Sequence, residues 1–186
     1  MTLGKLAGAA QALAINAVSI YGVFGADWPV GTAIALYWAE NVIRGLLILI
    51  LLGVRRKRPT SSFLVLTLIF NAAHALFLFV ILGFVIPRVA PAQRFEGGSF
   101  RQGLIIIAIL LAVEYLVRGL AGGEEGSDSY VRRVVVVHLT IVFGMFGIVL
   151  FDRATVLFAV FAALKIIMDV WTSRRAPDLP QPQSSP

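Results

Sequence analysis

Cysteine is absent from this sequence of 186 residues, and histidine occurs only twice. Without cysteine the chain has no disulfide framework, no thiolate catalysis and no cysteine-ligated zinc or iron–sulfur site. Any metal ion bound by the protein would therefore take histidine and carboxylate ligands. His74 and His138 are accordingly the first residues to consider for metal binding.

Charged residues are also few: they make up 14% of the chain, against 59% hydrophobic residues. Soluble domains are typically about a quarter charged. This composition, with a mean hydropathy of +0.88, predicts an all-α polytopic membrane protein that has the lipid bilayer as its main partner. The net charge of +6 comes from short basic runs at the ends of apolar segments, where topology signals lie, so no nucleic-acid partner is expected.

The apolar stretches predict one domain over residues 1–173, a bundle of six transmembrane helices, and a disordered cytoplasmic tail over 174–186. The predicted spans lie at about 6–24, 33–53, 63–85, 104–120, 131–151 and 154–172. Pro87 is expected to end the third span, and 87–103 to form a loop or a short interfacial piece. The candidate protein partners are a second copy of the chain or another membrane protein.

Lysine and arginine are unevenly divided between the two sides of such a bundle. With six spans both termini lie on one side, whose basic residues are Lys5, Arg55, Arg56, Lys57, Arg58, Arg132, Arg133, Arg174 and Arg175. The other side has Arg88, Arg94, Arg101 and Arg153. Because cytoplasmic loops collect lysine and arginine, both termini are predicted to be cytoplasmic.

The segment 37–44, YWAENVIR, places a carboxylate, an amide and a guanidinium inside the second apolar span. An ionisable group in a membrane costs about 2.5–3.5 kcal/mol on insertion scales, and it is tolerated chiefly when it faces the protein interior or a partner. Glu40, Asn41 and Arg44 are therefore the predicted polar centre of the bundle.

Oppositely charged residues recur four positions apart in three of the predicted spans, a spacing that puts both side chains on one helix face. The pairs are Glu40 and Arg44, Glu114 and Arg118, and Lys165 and Asp169. One interpretation is that each pair neutralises itself within its helix, which suits Arg118 because arginine extends toward the interface. The other interpretation is that the pairs contribute to a functional site.

The third and fifth spans carry complementary groups. His74 lies midway along the third span with Asn71 one turn earlier on the same face, and His138 lies about two turns inside the fifth. Each histidine is either a hydrogen-bonded packing residue or part of a functional centre with Glu40. A carboxylate and two imidazoles can act as catalytic acid and base, or can bind a divalent metal with an open position. Glu40, His74 and His138 are thus the candidate catalytic residues and the candidate metal ligands.

Over nearly its whole length the chain resembles an uncharacterised bacterial membrane-protein family, domain of unknown function 6498. The matching pieces are YWAEN at 37–41, the region of His74, RRVVVVHLTIVFG at 132–144 and LKIIMD at 164–169. The resemblance implies a multi-pass protein of the bacterial cytoplasmic (inner) membrane, and it supplies no activity.

Three short motifs are also similar to those of the glutamic intramembrane proteases of the CAAX-protease and bacteriocin-processing type. Residues 40–44 match the ExxxR part of that family's EExxxR motif, residues 70–74 match FxxxH, and His138 begins the HxxxN motif. The similarity implies that Glu40 and the two histidines would activate a water molecule for peptide hydrolysis.

Two positions depart from the motifs of that protease family. Ala39 stands where the first glutamate belongs, and Val142 stands where the asparagine that helps to hold the oxyanion belongs. If the registers correspond, the principal base of the family is absent from this chain.

The sequence leaves three functions open. The first is a membrane-embedded binding or accessory protein whose polar centre recognises a small polar group, a lipid head group or a metal, with an anion held by Arg44. Its binding residues would be Asn41, Arg44, Asn71, Lys165 and Asp169, with Asn16 as a further partner. The second is an intramembrane hydrolase with Glu40 as base and the histidines positioning water. The third is a small proton-coupled carrier.

Overall fold

The structure, a computed structural model, describes residues 3–120, residues 134 and 142, and residues 154–174. The regular secondary structure of these residues is helical. The all-α prediction is confirmed for these residues. Apart from residues 134 and 142, the fifth predicted span at 131–151 lies outside them, and so does His138.

The described helices follow one another with short connections. They are α1 (Leu3–Gly25), α2 (Val30–Val54), α3 (Ser61–Leu64), the π-helical turn π1 (Val65–Phe70), α4 (Asn71–Val80), a second π-helical turn π2 (Ile81–Val85), α5 (Ile86–Val89), a 3-10 turn (Pro91–Gln93), α6 (Gly97–Leu120) and α7 (Ala154–Arg174). Helix α1 packs along α7 and α6, and α2 packs along α6.

Three helical stretches of the described chain are long and apolar enough to cross a membrane: Val30–Val54, Thr67–Val89 and Pro91–Val117. The apolar stretches within α1 and α7, Ala9–Gly25 and Phe158–Ile167, are shorter. Length and composition therefore support the second, third and fourth predicted spans, and the total of six spans stays a prediction.

Large apolar side chains point outward from these stretches. Ile50 on α2, Ile69 in π1, Phe79 on α4 and Leu116 on α6 are each more than half exposed. Soluble proteins rarely expose large contiguous apolar patches, whereas lipid tails are as apolar as these side chains. The outer surface of the helices therefore suits a bilayer.

The third predicted span is a continuous helical rod from α3 to α5 that contains π1 and π2. Pro87 does not end this rod, so that prediction is wrong. Pro87 has no N–H to donate within the rod, and it lies in α5, directly after π2, where the α-helical hydrogen-bond pattern is already interrupted. The helix therefore continues to Val89.

Helix α6 begins at Gly97, well before the predicted start at residue 104, so the predicted loop is wrong over its second half. The Phe100 N–H donates to the Glu96 carbonyl at 3.0 Å, at the start of the helix. The Phe100 ring packs against two of the apolar clusters of the core. Burial of the Phe100 ring outweighs the helix penalty of about 1 kcal/mol for each of Gly97 and Gly98, so the helix begins at these glycines.

The turn before α6 closes over the start of α2. The Val30 N–H donates to Gln93 Oε1 at 3.0 Å, and the Glu96 N–H donates to Thr32 Oγ1 at 2.9 Å. The first of these bonds satisfies a donor that a helix N-terminus leaves open. A Cβ atom on Gly31 would lie 2.5 Å from the Gln93 carbonyl oxygen, so this close approach requires glycine.

Trp28, in the turn between α1 and α2, fills the space between α1 and α6. A Cβ atom on Gly22 of α1 would overlap the Trp28 ring. A Cβ atom on Gly103 of α6 would lie 2.9 Å from the same ring and 2.5 Å from a Leu36 methyl carbon. The two glycines thus allow α1, α2 and α6 to pack closely at this end.

We expect Gly103→Ala to lower the melting temperature of the detergent-purified protein, because the added methyl group must displace Trp28 or Leu36. Overpacking of this kind costs about 1–3 kcal/mol. Gly98→Ala in the same helix is the control, since nothing lies within 4 Å of its Cβ position and alanine is the better helix former. Equal effects of the two substitutions would contradict the packing role of Gly103.

Candidate functional site

One face of α2 carries most of the polar residues of its span. Tyr37, Glu40, Asn41 and Arg44 are separated by three and four residues, which places them on one side of the helix. All four are only 1–3% exposed. Because buried polar groups are normally hydrogen-bonded, neighbouring helices are expected to supply their partners.

Glu40, Arg44, Glu114 and Lys165 form a chain of ion pairs, which we call the ion network. Arg44 Nε lies 3.1 Å from Glu40 Oε1, and Arg44 Nη1 lies 3.0 Å from Glu114 Oε2. Lys165 Nζ lies 3.0 Å from the other oxygen of Glu40, Oε2. Among the described residues two carboxylates thus balance two cations, and the network joins α2, α6 and α7.

Lys165 is 1% exposed and contacts α1 and α2. Its Nζ donates to Asn16 Oδ1 at 3.1 Å, and Asn16 Nδ2 donates to the Ala12 carbonyl at 2.8 Å. The ammonium also lies 5.1 Å from the centroid of the Tyr37 ring, within the range of cation–π attraction. These contacts, with the Glu40 carboxylate, replace the water that Lys165 loses on burial.

Burial makes the members of the ion network depend on one another. Each of the four residues is less than 9% exposed. Away from water an ion pair is stronger, but an unpaired charge is correspondingly costly. A balanced network of this kind is therefore better suited to holding helices together than to capturing a further ion.

A second polar group joins α2 to the third span. Asn41 Nδ2 donates to Asn71 Oδ1 at 3.0 Å, and Asn71 Nδ2 donates to the Thr67 carbonyl at 2.9 Å. Trp38 Nε1 donates to the Asn71 carbonyl at 3.2 Å. We call Asn41, Thr67 and Asn71 the amide relay.

Two atoms of the amide relay, Asn41 Oδ1 and Thr67 Oγ1, have no hydrogen-bond partner in the described part of the chain. Asn41 is 3% exposed and Thr67 is 6% exposed, so bulk water does not solvate these atoms. Unpaired buried polar atoms are uncommon in folded proteins, and each costs about 1–3 kcal/mol. The amide relay therefore has hydrogen-bonding capacity that the described residues do not use.

His74 follows Asn71 by one turn on α4 and is 8% exposed. Its Nδ1 lies 3.0 Å from the Phe70 carbonyl, and the centroids of the two rings are 4.2 Å apart. Since a carbonyl only accepts, Nδ1 carries the hydrogen of this bond. Both carbonyls that accept side-chain bonds here, those of Thr67 and Phe70, belong to π1, and π-helical turns are often found at functional sites.

Six of the predicted site residues make contacts within the bundle. They are Glu40, Arg44 and Lys165 in the ion network, Asn41 and Asn71 in the amide relay, and His74 against Phe70. Among the described residues, no group of three histidine or carboxylate side chains is placed to hold a metal ion. His138 and the side chain of Asp169 lie outside the described residues, so their roles stay predictions.

Glu114, Tyr37 and Thr67 belong to these contacts but were not among the predicted site residues. The spacing of four residues favours Arg118 as the partner of Glu114, and the Arg118 side chain lies outside the described residues. The structure places Arg44 of α2 3.0 Å from Glu114. The sequence feature that could have identified Glu114 is a carboxylate inside an apolar span. Nothing in the sequence singles out Thr67, because its position depends on π1.

A comparison with protein families matches residues 4–185 of the chain to DUF6498, a family of unknown function. No curated protein and no solved structure matches the chain. The similarity to the glutamic intramembrane proteases thus has no support beyond its short motifs. Because the family match covers nearly the whole sequence, the chain belongs to the DUF6498 family.

Proposed function

We propose that the protein is an integral protein of the bacterial inner membrane that binds a small polar ligand at the amide relay, while the ion network fixes the surrounding helices. The observation that carries this proposal is the pair of buried atoms, Asn41 Oδ1 and Thr67 Oγ1, without a partner among the described residues. The three helical stretches long and apolar enough to cross a membrane support the location.

The ion network is the less favourable binding site because its charges already balance. Arg44 contacts carboxylates on α2 and α6, so an incoming anion would have to displace one of them. Glu40 contacts two cations, so a hydrolase that used Glu40 as its base would first have to break two ion pairs. Both considerations favour binding at the amide relay over anion capture or hydrolysis.

A proton-coupled carrier is the second candidate function. The observation in its favour is that one carboxylate, Glu40, joins cations on α2 and α7. Protonation of Glu40 would remove both attractions at once and loosen α7 from α2. Only this second hypothesis requires pH-linked flux in proteoliposomes that contain the purified protein.

The proposed orientation places both termini in the cytoplasm, and Lys57 and Arg94 test it because they lie at opposite ends of α2. The Lys57 N–H donates to the Leu52 carbonyl just beyond the C-terminal end, whereas Gln93, next to Arg94, contacts Val30 at the N-terminal end.

Because the chain has no native cysteine, we expect single-cysteine variants to report the orientation directly. A membrane-impermeant maleimide added to intact spheroplasts should label Arg94→Cys, and should label Lys57→Cys only after the membrane is permeabilised. Both positions are exposed. The reverse pattern would overturn the orientation, and labelling of both variants in intact spheroplasts would mean that α2 does not cross the membrane.

We expect Glu40→Gln to lower the melting temperature strongly, because it deprives Arg44 and Lys165 of a shared carboxylate in a buried site. Removing one partner of a buried ion pair costs about 3–5 kcal/mol. The control is Asp27→Asn, which neutralises an exposed carboxylate at a residue with φ 53°, a conformation that asparagine tolerates. If Glu40→Gln melted like the control, the ion network would not be what holds α2 to α7.

The amide relay is tested by Thr67→Val, for which we expect a higher melting temperature. Valine replaces the unpartnered hydroxyl by a methyl group of similar shape, which removes a desolvation cost of about 1–3 kcal/mol. Thr32→Val is the matched control: Thr32 is also buried, but its Oγ1 accepts from the Glu96 N–H. The free energy of unfolding of that variant should fall by about 0.5–1.5 kcal/mol.

A fall in melting temperature for both threonine variants would show that the Thr67 hydroxyl is satisfied in the protein. The amide relay would then have no unused capacity, and the proposed function would fail. A rise for Thr67→Val together with a fall for Thr32→Val is the expected result.

A further inference from the structure

We infer that the ligand of the amide relay is a small neutral hydrogen-bond donor, an amide or an alcohol, and not an anion. The inference rests on the proposed function, because it names the chemistry of the ligand that the relay binds. It follows from the direction in which the hydrogen bonds of the relay run.

The Thr67 carbonyl sets that direction. A carbonyl oxygen only accepts, and this one accepts from Asn71 Nδ2 at 2.9 Å. The Asn71 oxygen therefore faces Asn41, which must present its own Nδ2, at 3.0 Å. The oxygen and nitrogen of an isolated asparagine amide are hard to tell apart, but here one backbone atom fixes both amides.

The relay consequently ends on an acceptor. Asn41 Oδ1 has no partner among the described residues, and neither does Thr67 Oγ1, which can accept or donate. A ligand with an O–H or N–H group can donate to either atom. A carboxylate or phosphate would place its oxygens against Asn41 Oδ1 and be repelled.

A neutral donor also suits the surroundings better than a metal ion does. The ion network beside the relay on α2 is already balanced, with two carboxylates and two cations. A hard cation such as Ca²⁺ takes about 6–8 oxygen ligands, whereas the unpartnered oxygens of the relay are those of Asn41 and Thr67. Two acceptors are enough for a small amide or alcohol.

Three probes that share an acetyl group separate the alternatives. Acetamide offers N–H donors, N,N-dimethylacetamide offers none, and acetate carries a negative charge. The reporter is the indole N–H signal of Trp38 in NMR spectra of the full chain in detergent, identified by its loss in Trp38→Phe. Trp38 Nε1 donates to the Asn71 carbonyl at 3.2 Å, so ligand bound at the relay should shift this signal.

We expect acetamide to shift the Trp38 signal saturably and the other two probes to leave it in place. In Thr67→Val the affinity for acetamide should fall about tenfold, which corresponds to the loss of one hydrogen bond. Thr32→Val should bind acetamide as the wild type does, because its hydroxyl contacts Glu96 at the start of α2.

The other outcomes overturn the inference in distinguishable ways. A saturable shift with acetate, or equal shifts with all three probes, would overturn the donor chemistry and leave the proposed function standing. A shift with acetamide that was unchanged in Thr67→Val would place binding elsewhere and overturn both. If no probe shifted the signal the inference would fail, and the melting temperatures of Thr67→Val and Thr32→Val would then decide whether the proposed function fails with it.

Discussion

The arrangement of the helices depends on the placement of one carboxylate, Glu40, between a cation on its own helix and a cation on another. Arg44 and Lys165 each lie about 3 Å from it, and all three side chains are buried. A charge away from water cannot be left unpaired without a large cost, so α7 must stay where Lys165 reaches Glu40. Arg44 also contacts Glu114 on α6, and Lys165 contacts Asn16 on α1, so the positions of these two helices are restricted in the same way.

The polar face of α2 has two edges that differ in how many of their polar atoms have partners among the described residues. Consecutive residues are about 100° apart around a helix, so Glu40 faces the ion network while Asn41 faces the third span. At the first edge every charge has a partner of opposite sign. At the second, Asn41 Oδ1 and Thr67 Oγ1 have none among the described residues. One helix thus contributes both to the ion network and to the amide relay, the site at which we propose that a ligand binds.

The π-helical turn π1 and the amide relay are parts of one feature. In a regular α-helix the carbonyls are occupied by backbone N–H groups four residues later. In π1 the carbonyls of Thr67 and Phe70 accept bonds from the Asn71 and His74 side chains. The Thr67 carbonyl orients the Asn71 amide, which in turn orients Asn41. The Thr67 carbonyl therefore decides that Asn41 Oδ1 is the amide oxygen of the relay left without a partner among the described residues.

The sequence by itself determined the helical class, the bounds of α1, α2 and α7 to within a few residues, and the importance of Glu40 and Arg44, because polar groups are expensive in long apolar spans. It could not determine which polar side chains contact one another. The spacing of Lys165 from Asp169 allows a pair within one helix, and only the tertiary structure shows that Lys165 also lies beside Glu40 on α2. The start of α6 likewise depended on the packing of Phe100. Helix rotation and approach decide which polar groups meet and which are left open, and these are set by packing between helices that are distant in the sequence.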